Sequence, residues 1–236
     1  MTDLPEPSGA DDAPVLALVS PRPLALVANA AAATDTAAEQ AAARKRPRPG
    51  ERRVQILQTL AVMLEQPGTD RITTAALAAR LQVSEAALYR HFASKAQMFE
   101  GLIEFIESSV FTLVNQITER EASGAVQARR IVVMVLQFGE KNRGMVRVMV
   151  GDALVVEHER LSTRMNQFFD RLESQLRQCL RGATDASGSA TPTVDANALA
   201  SGLTALVVGR LQRYARSGFR REPTEQLDGL LLRLTT

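Results

Sequence analysis

Tryptophan is missing from this 236-residue chain, and aromatic residues of any kind make up only 4% of it. The apolar content, 45%, comes mostly from Leu, Val and Ala. Such material suits packed helices better than a sheet sandwich, which draws on aromatic and β-branched side chains. Cysteine occurs once, at Cys179. That excludes an internal disulfide and a cysteine-based metal site, and it points to a reduced compartment, the cytoplasm. Histidine occurs twice, at His91 and His158. Glu157-His158-Glu159 has no second His at the spacing a zinc-binding helix needs. A Walker loop, a dinucleotide fingerprint and a nucleophile elbow are also missing, so no motif proposes a reaction, a metal or a cofactor, and the chain does not read as an enzyme. No run reaches ~18 uninterrupted apolar residues, which argues against a membrane span. The apolar stretch 15–33 does not read as a secretion signal either. Asp3, Glu6, Asp11 and Asp12 precede it, and Pro21-Arg22-Pro23 breaks it.

The charge that is present is unevenly placed. Net charge is only +2, yet residues 1–43 carry six acidic side chains and one basic one, while residues 44–95 carry ten basic and four acidic. A basic block beside an acidic tail suggests an anionic partner for the block. Residues 1–50, rich in Ala, Pro, Asp and Thr, read as a disordered tail with a basic arm at 44–50. A stripe of Val54, Leu57, Leu60, Ala61 and Leu64 then predicts a first helix, ended by Pro67-Gly68. A short second helix fits 74–81, and Ser84 caps a third running through Phe92. Ser94, with Gln97 three residues on, opens a long fourth helix to about Arg120. Further helices are predicted over 125–139, 143–151, 157–181, 196–217 and 224–234, with a small, polar, flexible loop at 182–194. The run 131–136 is apolar all round; a strand would fit it, but its setting favours a buried helix. The expected architecture is all-α, with a small helical domain at 51–96 and a larger helical domain at 97–236.

The segment TTAALAARLQVSEAALYRHF, residues 73–92, carries the functional reading. It contains two short capped helices and a tight turn. Ala78 is small where the helices cross, Val83 can plug the crossing, and Leu88 anchors the second helix. This is a helix-turn-helix unit, whose second helix enters the major groove of a duplex. Ser84, Glu85, Ala86, Tyr89, Arg90 and His91 are then the outward candidates, with Thr73 and Thr74 at the head of the first helix and Lys95 placed for a phosphate. Arg44, Lys45, Arg46, Arg48, Arg52 and Arg53 put six cations in ten positions just upstream. Beside a reading head, that density suits an arm that tracks phosphates, with Arg46, Arg48 and Arg52 as its contacts.

The segment RITTAALAARLQVSEAALYRHFASKAQMFEGLIEFIE resembles the N-terminal domain of the TetR family of bacterial regulators, and within it the nucleoid occlusion factors. The likeness continues through FGEKNRGM, GDALVVEHERL and RMNQFFDRLESQLRQ, and it does not extend to residues 1–43. It implies a three-helix DNA head, a long helical body, a homodimer and nucleoid-associated action on the division GTPase FtsZ. It also implies a partner site at Phe105, Met134, Lys141 and Asn142. Three positions depart from the pattern: Gln82 replaces a frequent turn Gly, Ala93 a frequent Pro, and Gln137 a small residue beside the implied FtsZ surface.

Dimerisation has its own signal. Ala198, Gly202, Ala205 and Gly209 recur at helical spacing beside Leu199, Leu203 and Leu206, so two helices could approach closely there. A last helix with Leu227, Leu230, Leu231 and Leu234 could complete an intersubunit four-helix bundle. Two heads related by a two-fold axis would read a palindromic site in double-stranded DNA. Deleting residues 1–50 is expected to lower DNA affinity mainly at low salt and to flatten the salt dependence. An unchanged slope in a titration of the truncated protein would show that the arm contacts no phosphates.

Overall fold

The computed structural model describes residues 50–66, 72–186 and 188–235. Helix α1 spans Glu51–Leu64, α2 Thr74–Arg80 and α3 Glu85–Tyr89; the long α4 runs Lys95–Arg120. The short helices start where a hydroxyl can take an orphan N–H. Thr73 accepts from the Ala76 amide, Ser84 from Ala87 and Ser94 from Gln97. The Gln97 side chain reaches back to the Ala93 amide at 2.8 Å, so the two ends of that first turn hold each other. The proposed stop of α1 at Pro67-Gly68 lies outside the described residues; α1 itself ends at Leu64, with Glu65 as its cap.

The body follows as α5 (Gly124–Lys141), α6 (Arg143–Met149), a single 3-10 turn (Asp152–Leu154), α7 (Glu159–Ala186), α8 (Pro192–Arg216) and α9 (Leu227–Leu234). All described elements are helical. The ambiguous run 131–136 is the middle of α5, and Ile131, Val132, Val135 and Leu136 have no exposed surface. α7 and α8 form a hairpin and pack against each other more extensively than any other pair.

The loop predicted at 182–194 is much shorter. α7 continues through Ala186 and α8 begins at Pro192. The small polar residues that suggested flexibility tie the two helix ends together instead. The Thr184 hydroxyl lies 3.0–3.1 Å from the carbonyls of Leu180, Arg181 and Pro192. Ser189 holds the Asp195 carboxylate and accepts from the Thr191 amide. Pro192 sits at the first helical position, where its missing N–H costs nothing. The last helix also differs from expectation. Leu227 and Leu231 are buried within the chain, where α9 lies on α5 and Arg129 bonds the Thr235 hydroxyl at 2.9 Å.

Head and body share α4. Met98, Phe99, Leu102 and Ile103 fill the head end, and Ile106, Val110 and Val114 the body end, all nearly or wholly inaccessible. A second join is made by α6 on α1, where a Cβ on Gly144 would stand 2.1 Å from the Ala61 carbonyl oxygen. A similar approach occurs between α5 and α7: a Cβ on Gly124 would fall 2.0 Å from the Cys179 carbonyl oxygen. Beside the first seam, burial pushes the Glu65 carboxyl above its ordinary pKa, with the Arg143 charge and the Gly144 amide pulling the other way. Gly144→Ala must open the α1–α6 seam, because the obstacle is backbone. It is expected to cost about 1–3 kcal/mol in urea unfolding. A loss within about 0.5 kcal/mol, the usual range for surface changes, would show that the seam yields freely.

Candidate nucleic-acid interface

Crossing geometry places α3 where a reading helix belongs. Ala78 and Leu88 are buried, Val83 packs against the core, and the Val83 amide bonds the Ala78 carbonyl at 3.0 Å. The turn needs a left-handed residue, and Gln82 supplies it at φ 55°. A non-glycine residue there costs roughly 1 kcal/mol, which the surrounding packing offsets. Outside the crossing, Ser84, Glu85, Ala86, Tyr89, Arg90 and His91 are all exposed. Tyr89 keeps 46% of its surface in solvent, which is unusual for a large aromatic residue in a chain so poor in them.

Several of the candidate contacts also have structural duties. The Thr74 hydroxyl donates to the Glu85 carboxylate at 2.6 Å, tying the first residue of α2 to the first of α3. Thr73 caps α2. Arg52 bonds the Gln55 side chain at 2.8 Å on its own helix. Lys95, expected at a phosphate, forms an ion pair with Glu157 of the body and is about one-fifth exposed. Arg46 and Arg48 lie outside the described residues. In the sequence Arg53 is simply one cation of the basic run. Its guanidinium covers the Phe92 ring at 4.1 Å and donates to the His91 carbonyl at 3.0 Å. It straps α1 to the end of α3, and no local pattern distinguishes it from its basic neighbours.

The Lys95–Glu157 pair, made just ahead of α7, is followed by a ladder between α4 and α7. Glu100 meets Arg160 at 2.8 Å, and Glu107 meets Arg164 at 3.0 and 2.5 Å. Hydrogen bonding to Glu107 holds the Arg164 guanidinium charged and raises its pKa. Partly exposed pairs of this kind contribute up to about 1 kcal/mol each, so the ladder sets register more than stability.

The implied partner site divides. Phe105 is partly buried with its ring 6.2 Å from that of Phe138, and the Asn142 side chain donates to the Phe138 carbonyl at 2.8 Å. Lys141 is exposed, and with Asn142 it lines a small cleft against Gln58, Val62 and Glu65. Met134 is only 8% exposed and serves the core, because its face of α5 is the packed one. On α8, Ala198, Gly202, Ala205 and Gly209 are exposed and Leu206 is half-buried; a Cβ on either glycine would meet nothing. Leu203, grouped with that stripe from sequence, turns inward with Val207 and Leu211.

Residues 56–102 match the family of bacterial regulatory proteins of the tetR type, and residues 123–234 match the SlmA-like, tetracyclin repressor-like C-terminal domain. The nucleoid occlusion factor SlmA of Photobacterium profundum is 52% identical over 178 residues, covering 75% of this chain and 90% of that protein. The chain belongs to the SlmA family. The nucleoid occlusion factor SlmA of Salmonella paratyphi B is 51% identical, with 75% of this chain and 89% of that protein aligned. In fold, a TetR-family transcriptional regulator from Rhodococcus sp. superposes at a TM-score of 0.62 and 20% identity, covering 79% of this chain and all of that one. FadR from Bacillus subtilis, in complex with stearoyl-CoA, does so at 0.61 and 12% identity, covering 77% and 97%. At such low identity these two speak for the fold alone.

For the SlmA-family head, Tyr89→Ala and Arg90→Ala are each expected to weaken specific DNA binding by more than about 1 kcal/mol. Fluorescence anisotropy against a labelled duplex measures this. Full affinity in both variants would remove α3 from the interface.

Proposed function

We propose that this chain is a sequence-specific DNA-binding nucleoid occlusion protein. Bound to chromosomal DNA as a homodimer in the cytoplasm, it antagonises FtsZ ring assembly and so blocks septum formation over the nucleoid. The observation that carries the reading is the exposed polar face of α3, held on a capped and strapped three-helix head, in a chain aligned over nine-tenths of a nucleoid occlusion factor. No helix among the described residues is long and apolar enough to cross a membrane. In the dimer, the outward stripe Ala198–Gly202–Ala205–Gly209 of α8, with Leu206 beside it, faces its copy. FtsZ engages Phe105 together with Lys141 and Asn142, and Gln137, half-buried nearby on α5, shapes that contact.

The competing reading is a repressor released by a small ligand in its body. It calls for an apolar cavity of a few hundred Å3 with a few polar groups. The cleft of about 500 Å3 between α4, α5 and α7 has a different lining: Thr118, Ser123, Gln127, Gln175 and Gln178, with Cys179 beneath. Burial raises the Cys179 thiol pKa, which leaves it a poor nucleophile.

The test is FtsZ polymerisation followed by light scattering, with a duplex selected from a random pool for tight binding. Protein plus this duplex is expected to suppress assembly more strongly than protein alone. Unchanged assembly with both present, in a protein that binds the duplex, would leave the repressor reading.

A further inference from the structure

The end of α8 and the turn after it carry Arg210, Arg213, Arg216, Arg220 and Arg221 within twelve residues, against Glu222 and Glu225. Arg210 is spent on structure: it donates to the Pro223 and Glu225 carbonyls at 2.9 and 2.7 Å. The other four are exposed in the single chain, with Arg213 and Arg216 one and two turns beyond Gly209, at the end of the outward stripe of α8. Among the described residues, none of the four forms an ion pair with a carboxylate. The field of a helix C-terminus accounts for cations in its last turn, but Arg220 and Arg221 lie beyond it. Arg213 and Arg221 line one cleft of about 300 Å3 together with Arg210, Glu222 and Glu225.

The backbone presenting these side chains is fixed. The Ser217 hydroxyl oxygen accepts from the Arg220 and Arg221 amides at 3.1 and 2.9 Å. Phe219 sits at φ 61°, which is strained for a bulky residue, and it is anchored by burial against Tyr214 at 5.1 Å between rings. Thr224 is bonded to Glu140 of α5. A strained, over-determined turn carrying unpaired cations suits a pre-formed anion surface better than a solvated surface loop.

Its position selects the anion. Arg143 at the start of α6 donates to the Tyr214 hydroxyl at 3.2 Å, and Arg143 and Arg147 approach the Phe219 ring at 6.0 and 5.4 Å. The same α6 presses Gly144 onto Ala61 of the head. The arginine turn therefore adjoins the seam that carries α1. A lipid surface would call for exposed apolar side chains nearby to insert, but Phe219 and Pro223 are buried. Resting on the DNA-binding reading above, we infer that Arg213, Arg216 and Arg221 form a second phosphate-contacting surface. It engages the duplex outside the base pairs read by α3 and adds affinity without sequence preference.

The experiment uses the full chain and the selected duplex. Combining Arg213→Gln, Arg216→Gln and Arg221→Gln is expected to make the slope of log affinity against log salt shallower by about 2.7 for each subunit that engages the duplex and to lower affinity at low salt at least tenfold, with the preference over a scrambled duplex unchanged. The matching triple Lys variant, judged alongside by thermal melting, keeps the slope. An unaltered slope in the Gln variant overturns the inference. So does a slope lost in both variants, which would mean a structural role, or a loss confined to phosphatidylglycerol vesicle binding. If the unaltered protein binds no duplex, the DNA-binding reading falls first and takes this one with it.

Discussion

Continuous burial along α4 is the condition on which the other features rest. One helix of 26 residues supplies the floor of the head with its first turns and the centre of the body with its last. Its buried Met98, Phe99, Leu102, Ile103, Ile106 and Val110 are each worth about 1.5–3 kcal/mol on removal from water. A short reading helix such as α3 has no such reserve. Five residues cannot hold a helix in water, so α3 owes its existence to Leu88 and Phe92 beneath it and to caps and straps at both ends. The exposed tip is rigid because its underside is dry.

Polar contacts then fix what the core leaves free. Thr74–Glu85 sets the angle between α2 and α3, Arg53 closes α1 over the end of α3, and the Lys95–Glu157 pair with the Glu100–Arg160 and Glu107–Arg164 rungs holds α4 in register with α7. Charge at Lys95 thus ties the start of α4 to the body.

Much of this was legible from sequence, for identifiable reasons. Ser, Thr and Gln at capping positions announce helix starts through local chemistry, and Ser84, Ser94 and Gln97 were read on that basis. Ala78, Val83 and Leu88 follow the steric needs of a crossing, so their burial could be foreseen. Local pattern is blind to long-range pairing. Lys95 meets a residue 62 positions away, and Arg53 one 38 away. The segment 182–194 reads as a flexible loop because Thr184 and Ser189 are polar, yet their hydroxyls bind Pro192 and Asp195 across the turn and hold it short. Met134 came from resemblance as a partner contact, while its own helical face put it in the core. Leu227 and Leu231 were assigned to a subunit interface because an apolar stripe does not say which surface it will cover.

The close contact at Gly144 has one further implication. A Cβ on Gly144 would run into the Ala61 carbonyl oxygen, so α6 can lie this close to α1 only while position 144 carries no side chain. That carbonyl is there whatever residue occupies position 61, so a head transplanted from a distant TetR-type protein would seat only if its first helix ran as close to α6 as α1 does. The portable unit for engineering new DNA preference in this scaffold therefore consists of α1 to α4 together with α6, a module discontinuous along the chain.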